Sequence, residues 1–216
     1  MAGDKSSLFY RFYYILKWLQ DNNNPRLLFL LENVASMRDK DKDIISSYLG
    51  VQPLMIDSSL VSAQDRKRYY WTNIENIEQP QDKGLILEDV ILKDVPEKFY
   101  YNCSYVFHGD DKKIIATVGV NGHDILKRVS NPKFKAPTLT AVCGGNQQKK
   151  VFQNERCRKL TPLEYERLQN LPDNYTSGFP DTTRYNVIGN GWTVDVIKHI
   201  LEHIGQNKKA NKRENL

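Results

Sequence analysis

The alternation of apolar and polar positions divides the chain into two kinds of segment. Residues 6–20, SSLFYRFYYILKWLQ, open with serine and carry apolar groups at helical spacing, with Arg11 and Lys17 as polar relief. This predicts a helix, stopped by the turn-rich DNNNP that follows. RLLFLLENVASM, at 26–37, has five apolar residues among its first six. Such a run reads as a strand buried on both faces, as in a parallel sheet covered by helices. DKDKDIISSYLG reads as an amphipathic helix with Gly50 just past its end. PLMIDSSLVS and RYYWTNI, rich in β-branched and aromatic residues, read as two further strands. The order helix, strand, helix, strand is that of an α/β unit.

After about residue 77 the apolar runs shorten and turn residues multiply, in YNCSYVFHG, IIATVGVNGHDI and NPKFKAPTLTAVCGGNQQKK. A small, irregular, β-rich insertion is expected there. Helical logic returns at LTPLEYERLQNLP, where Thr161 can cap, Pro162 takes the first turn and Glu164 can close a capping box. VDVIKHILEHI predicts a C-terminal helix. Before it lies RYNVIGNGWT, whose GNG glycines mark a tight backbone approach.

Bulk properties add limits. At 216 residues and 40% hydrophobic content the chain suits one globular unit, or one domain and a half. A net charge of +5 and a pI near 8.9 are mildly basic and compatible with a polyanionic partner. The tail KKANKREN supplies much of that excess and is expected to be a disordered end. With no run of 18 apolar residues and no signal peptide, an intracellular protein without a membrane partner is expected, in the cytoplasm, nucleoid or nucleus according to source. Cys103, Cys143 and Cys157 lack metal-ligand spacing, and their odd number argues against a disulfide framework. His199 and His203, four apart on the last helix, read better as a solvated face than as an incomplete metal site, and no metal is expected.

The residue that demands chemistry is Glu32. A carboxylate placed where an apolar strand ends is costly without a partner. It either caps the following helix or has a task, because ligands of open α/β sheets bind at the carboxyl ends of strands.

Four blocks stand in fixed order: LLENVASM at 30–37, SAQDRKRYYW at 62–71, RKLTPLEYERLQNLP at 158–172 and RYNVIGNGWTVDVI at 184–197. Together they resemble the C-terminal half of DNA (cytosine-5)-methyltransferases, over nearly the whole chain and most weakly at about 78–135. The phrasing of SSLFYRFYYIL, PLMIDSSLVSAQDRKRYYW and RYNVIGNGWTVDVI is most similar to the animal de novo enzymes and their prokaryotic or viral relatives. The resemblance implies a partial S-adenosylmethionine-dependent, Rossmann-like α/β sheet with a small β-rich target-recognition region inserted. Residues 1–77 would belong to the catalytic domain and 78–157 to the recognition region. Residues 158–207 would supply a buttress helix and a cofactor-side helix, and 208–216 the basic tail.

The same resemblance implies roles. Glu32 would contact a flipped cytosine at ring nitrogen 3 and its exocyclic amine, with Asn33 orienting the carboxylate or its loop. Gln64, Arg66 and Arg68 match a Gln-x-Arg-x-Arg signature. Arg66 would reach the base's oxygen 2, and Arg68 would support the site or nearby phosphates. Alternate residues of a strand share a face, so the three would project together. A basic edge strand is the plainer reading. Asn190, Gly191, Trp192 and Thr193 would lie at the S-adenosylmethionine end, although Trp192 reads equally as core. Thr138, Thr140, Gly144 and Gly145, with Lys149 and Lys150 for phosphates and Gln64 beside them, are the candidates for contact with double-stranded DNA.

Two parts of the family pattern do not occur: the Phe-x-Gly-x-Gly cofactor loop and the Pro-Cys dipeptide that carries the nucleophile. The expectation is therefore a split subunit or fragment, active only with a second polypeptide carrying the N-terminal half. The alternative is a catalytically inactive regulatory or DNA-binding homologue.

Overall fold

The computed structural model describes residues 4–205, and these divide into two compact units. The first holds residues 4–57, 67–79 and 199–205, the second 58–66 and 80–198. The basic tail at 208–216 lies outside the described residues.

In the first unit, helix α1 (Asp4–Asn22) covers the expected segment. It is followed by β1 (Leu30–Val34), α2 (Asp39–Leu49), β2 (Leu54–Asp57) and β3 (Lys67–Thr72). Helix α2 ends where its sequence says it should. Gly50 adopts φ +70°, and its N–H donates to the Ser46 carbonyl at 2.9 Å, a left-handed closure that only glycine makes without strain. The sheet order is β1-β3-β2, and β3 runs antiparallel to both neighbours. β1 and β2 therefore point the same way without touching.

This corrects the expected parallel, doubly buried β1. Its ladder partner is antiparallel, its residues are only half buried, and Val34 is exposed. The apolar run overstated the burial because it counts residues without assigning faces. Phe29, just before the strand, is buried, while Leu28 beside it is exposed. One face of the sheet carries the core: Trp71, Leu31 and Tyr69 pack with Phe9 and Leu16 of α1 and Ile45 of α2. Trp71 is fully buried, and its indole N–H donates to the Ser46 hydroxyl at 2.9 Å. The other face carries Glu32, Arg68 and Tyr70.

The second unit is built on a five-stranded sheet of β4 (Tyr105–Phe107), β5 (Ile114–Val118), β6 (Arg128–Ser130), β7 (Lys150–Gln153) and β8 (Arg156–Lys159), in that spatial order. Only β6 and β7 pair in parallel, which requires the long excursion between them. The one-turn helix α3 (Asp124–Lys127) leads into β6, and a bulge interrupts the β5–β6 register between Ile114 and Ala116. Asn154 and Glu155, at φ +52° and +59°, form the tight β7–β8 turn.

Helix α4 (Pro162–Leu168) follows, with the expected capping box. The Thr161 hydroxyl accepts from the Glu164 N–H at 3.2 Å, and the Glu164 carboxylate accepts from the Thr161 N–H at 2.6 Å. Next come α5 (Asp181–Asn190) and α6 (Val194–Glu202), whose residues from His199 onward belong to the first unit. Helix α5 was not anticipated. The segment DTTRYNVIGN has little periodicity, but Asp181 sits favourably in the first turn, and Tyr185 and Ile188 are buried on one side. Among the described residues no helix is long and apolar enough to cross a membrane.

Candidate active site

In the first unit the register places Glu32 opposite Tyr70 and Val34 opposite Arg68. Glu32 and Arg68 are thus diagonal neighbours on one face of an antiparallel pair, within reach of long side chains. The Arg68 Nε lies 2.7 Å from the Glu32 Oε1, with the two side chains 12% and 18% exposed. The carboxylate is held in a defined direction and still meets solvent. Asn33 leaves the strand on the other face, and its amide oxygen accepts from the Val34 N–H at 2.8 Å.

Gln64 and Arg66 do not extend from the same strand as Arg68, contrary to expectation. β3 begins at Lys67, and both residues belong to the second unit. There they knit three distant stretches together. The Arg66 guanidinium donates to the carbonyls of Leu139 and Gly191, both at 2.9 Å. The fully buried Gln64 donates to the Leu168 carbonyl at 2.5 Å and to Gln169 at 2.9 Å, and its own amide oxygen accepts from the Leu139 N–H. Gln169 in turn donates to the carbonyls of Ile188 and Gly191 and accepts from the Thr193 hydroxyl at 2.8 Å.

The four expected cofactor residues are thereby divided. Thr193 is buried and bound to Gln169, and the Gly191 carbonyl is occupied by Arg66 and Gln169. Trp192 is 46% exposed and Asn190 is exposed, so these two present groups outward. The GNG turn does make the tight approach its glycines suggested. A Cβ on Gly189 would fall 2.2 Å from the Thr140 carbonyl oxygen.

Of the residues expected on DNA, Thr138 donates its hydroxyl to the Asp65 carbonyl, and Thr140 is exposed. Gly144 and Gly145 both have positive φ and shape the turn after Val142. Lys149 is half buried, and burial lowers its ammonium from the usual lysine range. Lys150 is 2% exposed. Its Nζ donates to the carbonyls of Asn146 at 2.7 Å and Gln148 at 3.0 Å, an anchoring role for the loop rather than display to a phosphate. Burial, with Lys149 and Lys159 nearby, pushes its pKa down to about 8.

The sequence reading missed the buried charges of the second unit. The Glu164 carboxylate, read only as a cap, also pairs bidentately with Arg158 at 2.6 and 2.9 Å and accepts from the Leu92 N–H at 2.9 Å. Both side chains of the pair are fully buried. Burial alone would raise the Glu166 carboxyl, but the Thr176 hydroxyl and N–H and the Arg184 guanidinium hold it below the usual range. The T-x-x-E motif marks the cap and does not point to Arg158, and nothing in the spacing pointed to the Glu166–Arg184 pair. His199 and His203 are not a purely solvated face. The His199 ring donates to the Glu78 carbonyl and His203 to the His199 carbonyl, each at 2.8 Å.

The mixed α/β architecture is that of a methyltransferase-like fold. The Entamoeba histolytica methyltransferase EhMeth superposes with a TM-score of 0.62 at 15% identity, covering 90% of this chain and 69% of that one. The chain belongs to the C-5 cytosine-specific DNA methylase family, whose sequence profile matches residues 1–206. It is 25% identical to the type II methyltransferase M.HpaII of Haemophilus parainfluenzae, over 82% of this chain and 61% of that protein. It is 28% identical to M.BanI of Aneurinibacillus aneurinilyticus, over 67% of this chain and 33% of that protein. The chain thus spans less than two thirds of the length of these curated relatives.

Proposed function

We propose that this chain supplies the base-holding part of a DNA (cytosine-5)-methyltransferase, and that a second polypeptide supplies the thiolate and the glycine-rich cofactor loop. Its kinship is proposed to be with the de novo type enzymes and their prokaryotic or viral relatives, as their C-terminal half. The observation that carries the reading is Glu32, which lies in the middle of β1 rather than at the strand end its sequence suggested, held there by Arg68 and still open to solvent. Residues 78–157 are proposed as the target-recognition region and double-stranded DNA as the substrate.

The cytosine ring is a poor electrophile. When a thiolate adds at carbon 6, electron density moves toward ring nitrogen 3, and a hydrogen bond there stabilises it. Help of this kind contributes about 10²–10⁴ in rate. Glu32 is assigned that contact and the exocyclic amine, while Arg68 holds its orientation. Arg66, anchored on two carbonyls, is assigned oxygen 2 of the base. S-adenosylmethionine, when bound, supplies the methyl group. Trp192 and Asn190 are the groups suited to hold it, and Thr193 acts through Gln169.

No Pro-Cys dipeptide occurs in these 216 residues, and the buried Cys157 thiol, pushed up to about 11 chiefly by burial, is a poor nucleophile. The test is reconstitution with a chain carrying both missing motifs. Glu32→Ala should lower methyl transfer by about 10²-fold or more, with DNA binding kept. Near-normal turnover in that variant would show that Glu32 is misassigned, whereas no methyl transfer by the reconstituted native pair would favour a regulatory or DNA-binding homologue.

A further inference from the structure

A cavity lies wholly within the second unit. It encloses about 330 Å³ and is lined by β5, α3, β6 and the loop that runs from Pro137 to Lys150. That volume lies at the lower end of the range for small-molecule sites, roughly 300–1,000 Å³. Its walls are of two kinds. Ile114, Leu126, Pro137 and Ala141 form apolar surfaces, while Arg128 and Lys149 bring cations.

The cations reach the cavity for a structural reason. Val129 and Val151 are fully buried in different clusters on opposite sides of the sheet. Arg128 and Ser130 alternate with Val129, so they leave β6 on the face opposite to it. Lys149 lies two residues before Val151 and shares its side. No lining residue is an aspartate or glutamate, so neither cation meets a carboxylate from the cavity wall. Gln147 and Gln148 add amide groups at the rim. Burial lowers the Lys149 ammonium, so an anion beside it would restore what desolvation removes.

Aliphatic walls, amide groups and cations without wall carboxylates suit a base linked to a phosphate. We propose that this cavity binds a nucleotide unit, with the base between the Leu126 and Ala141 surfaces and the phosphate at Lys149 and Arg128. The unit comes either from a free mononucleotide or from a nucleotide displaced from DNA, separate from the cytosine assigned to Glu32. The DNA source rests on the function proposed above, whereas the mononucleotide source does not.

The experiment titrates the purified chain with each of the four deoxynucleoside monophosphates and, separately, with inorganic phosphate, following binding by amide chemical shifts. Saturable binding of at least one mononucleotide is expected, at least tenfold tighter than phosphate. Lys149→Gln should weaken it about tenfold, and Ala141→Leu, which fills the cavity, should abolish it. Unchanged melting of Lys149→Gln keeps the test valid if Ala141→Leu perturbs the loop. A parallel arm places 2-aminopurine at successive positions of a duplex and seeks a fluorescence rise that Lys149→Gln and Ala141→Leu suppress. A response to mononucleotides alone assigns a free ligand, and a response to the duplex alone assigns DNA. The absence of both, or binding indifferent to both substitutions, overturns the proposal and leaves the methyltransferase reading standing.

Discussion

The two compact units reach stability by different means. The first packs an aromatic and aliphatic face, with Trp71, Ile45 and Phe9 at its centre, and leaves its charged candidates Glu32 and Arg68 on the opposite face of the same sheet. The second buries whole charges, pairing Arg158 with Glu164 and Glu166 with Arg184, and closes its loops through Gln64, Arg66 and Gln169. An apolar face tolerates approximate shape and sets few angles. A buried network sets many, because each unmet donor carries its full desolvation cost. Irregular loops that must hold a geometry are better fixed by the second device.

Breaking the network should therefore cost most. Glu164→Ala strands Arg158 and also frees the N–H groups of Thr161 and Leu92, so a loss of about 3–5 kcal/mol is expected. Arg158→Met, which leaves the two backbone bonds to Glu164 in place, should cost less. Urea denaturation compares them, and equal losses would show that the backbone contacts contribute little. In the first unit, Ile45→Ala should cost about 2–4 kcal/mol, chiefly as a cavity. That loss should be independent of pH between 5 and 9, since no charge is involved; a steep pH dependence would place an unrecognised ionisable group beside it.

The smallest effect concerns Lys150. Its folded pKa, about 8, is below the unfolded value near 10.4. Between those values the unfolded chain binds more protons, so this residue makes stability rise with pH. Cys157 and Tyr101, raised to about 11 and 12, work in the opposite direction at higher pH. The difference between the native protein and Lys150→Met isolates the lysine: the variant's relative stability should fall as pH rises from 8 to 10. A flat difference would mean that Lys150 is not desolvated.

Several elements were legible because their signals are local. Gly50 closes α2, and Thr161, Pro162 and Glu164 open α4, each through residues within one turn. The approach of Gly189 to Thr140 was announced by its glycine, though the partner was not. The hidden features are those made by distant pairing. The Glu32–Arg68 contact follows from a register that periodicity cannot supply, and Gln169 looks like any surface glutamine of a helix end. The split of Gln64 and Arg66 from Arg68 was equally invisible, because SAQDRKRYYW alternates as a continuous strand would. The five-stranded sheet of the second unit combines strands of three to five residues, a bulge and one parallel pair, so no window of sequence contains its pattern.

The central claim is that this chain contributes the base-holding carboxylate while the attacking sulfur lies outside these 216 residues. Its most direct measurement uses a duplex carrying 5-fluoro-2′-deoxycytidine in the recognised site. After thiolate addition at carbon 6 and methylation at carbon 5, fluorine cannot leave as a proton would, and the protein stays covalently attached. With the reconstituted pair and S-adenosylmethionine, mass spectrometry should find the DNA adduct on the complementary polypeptide, at its Pro-Cys cysteine, and Glu32→Ala should lower its yield. An adduct on Cys103, Cys143 or Cys157, formed by this chain alone, would contradict the division of labour.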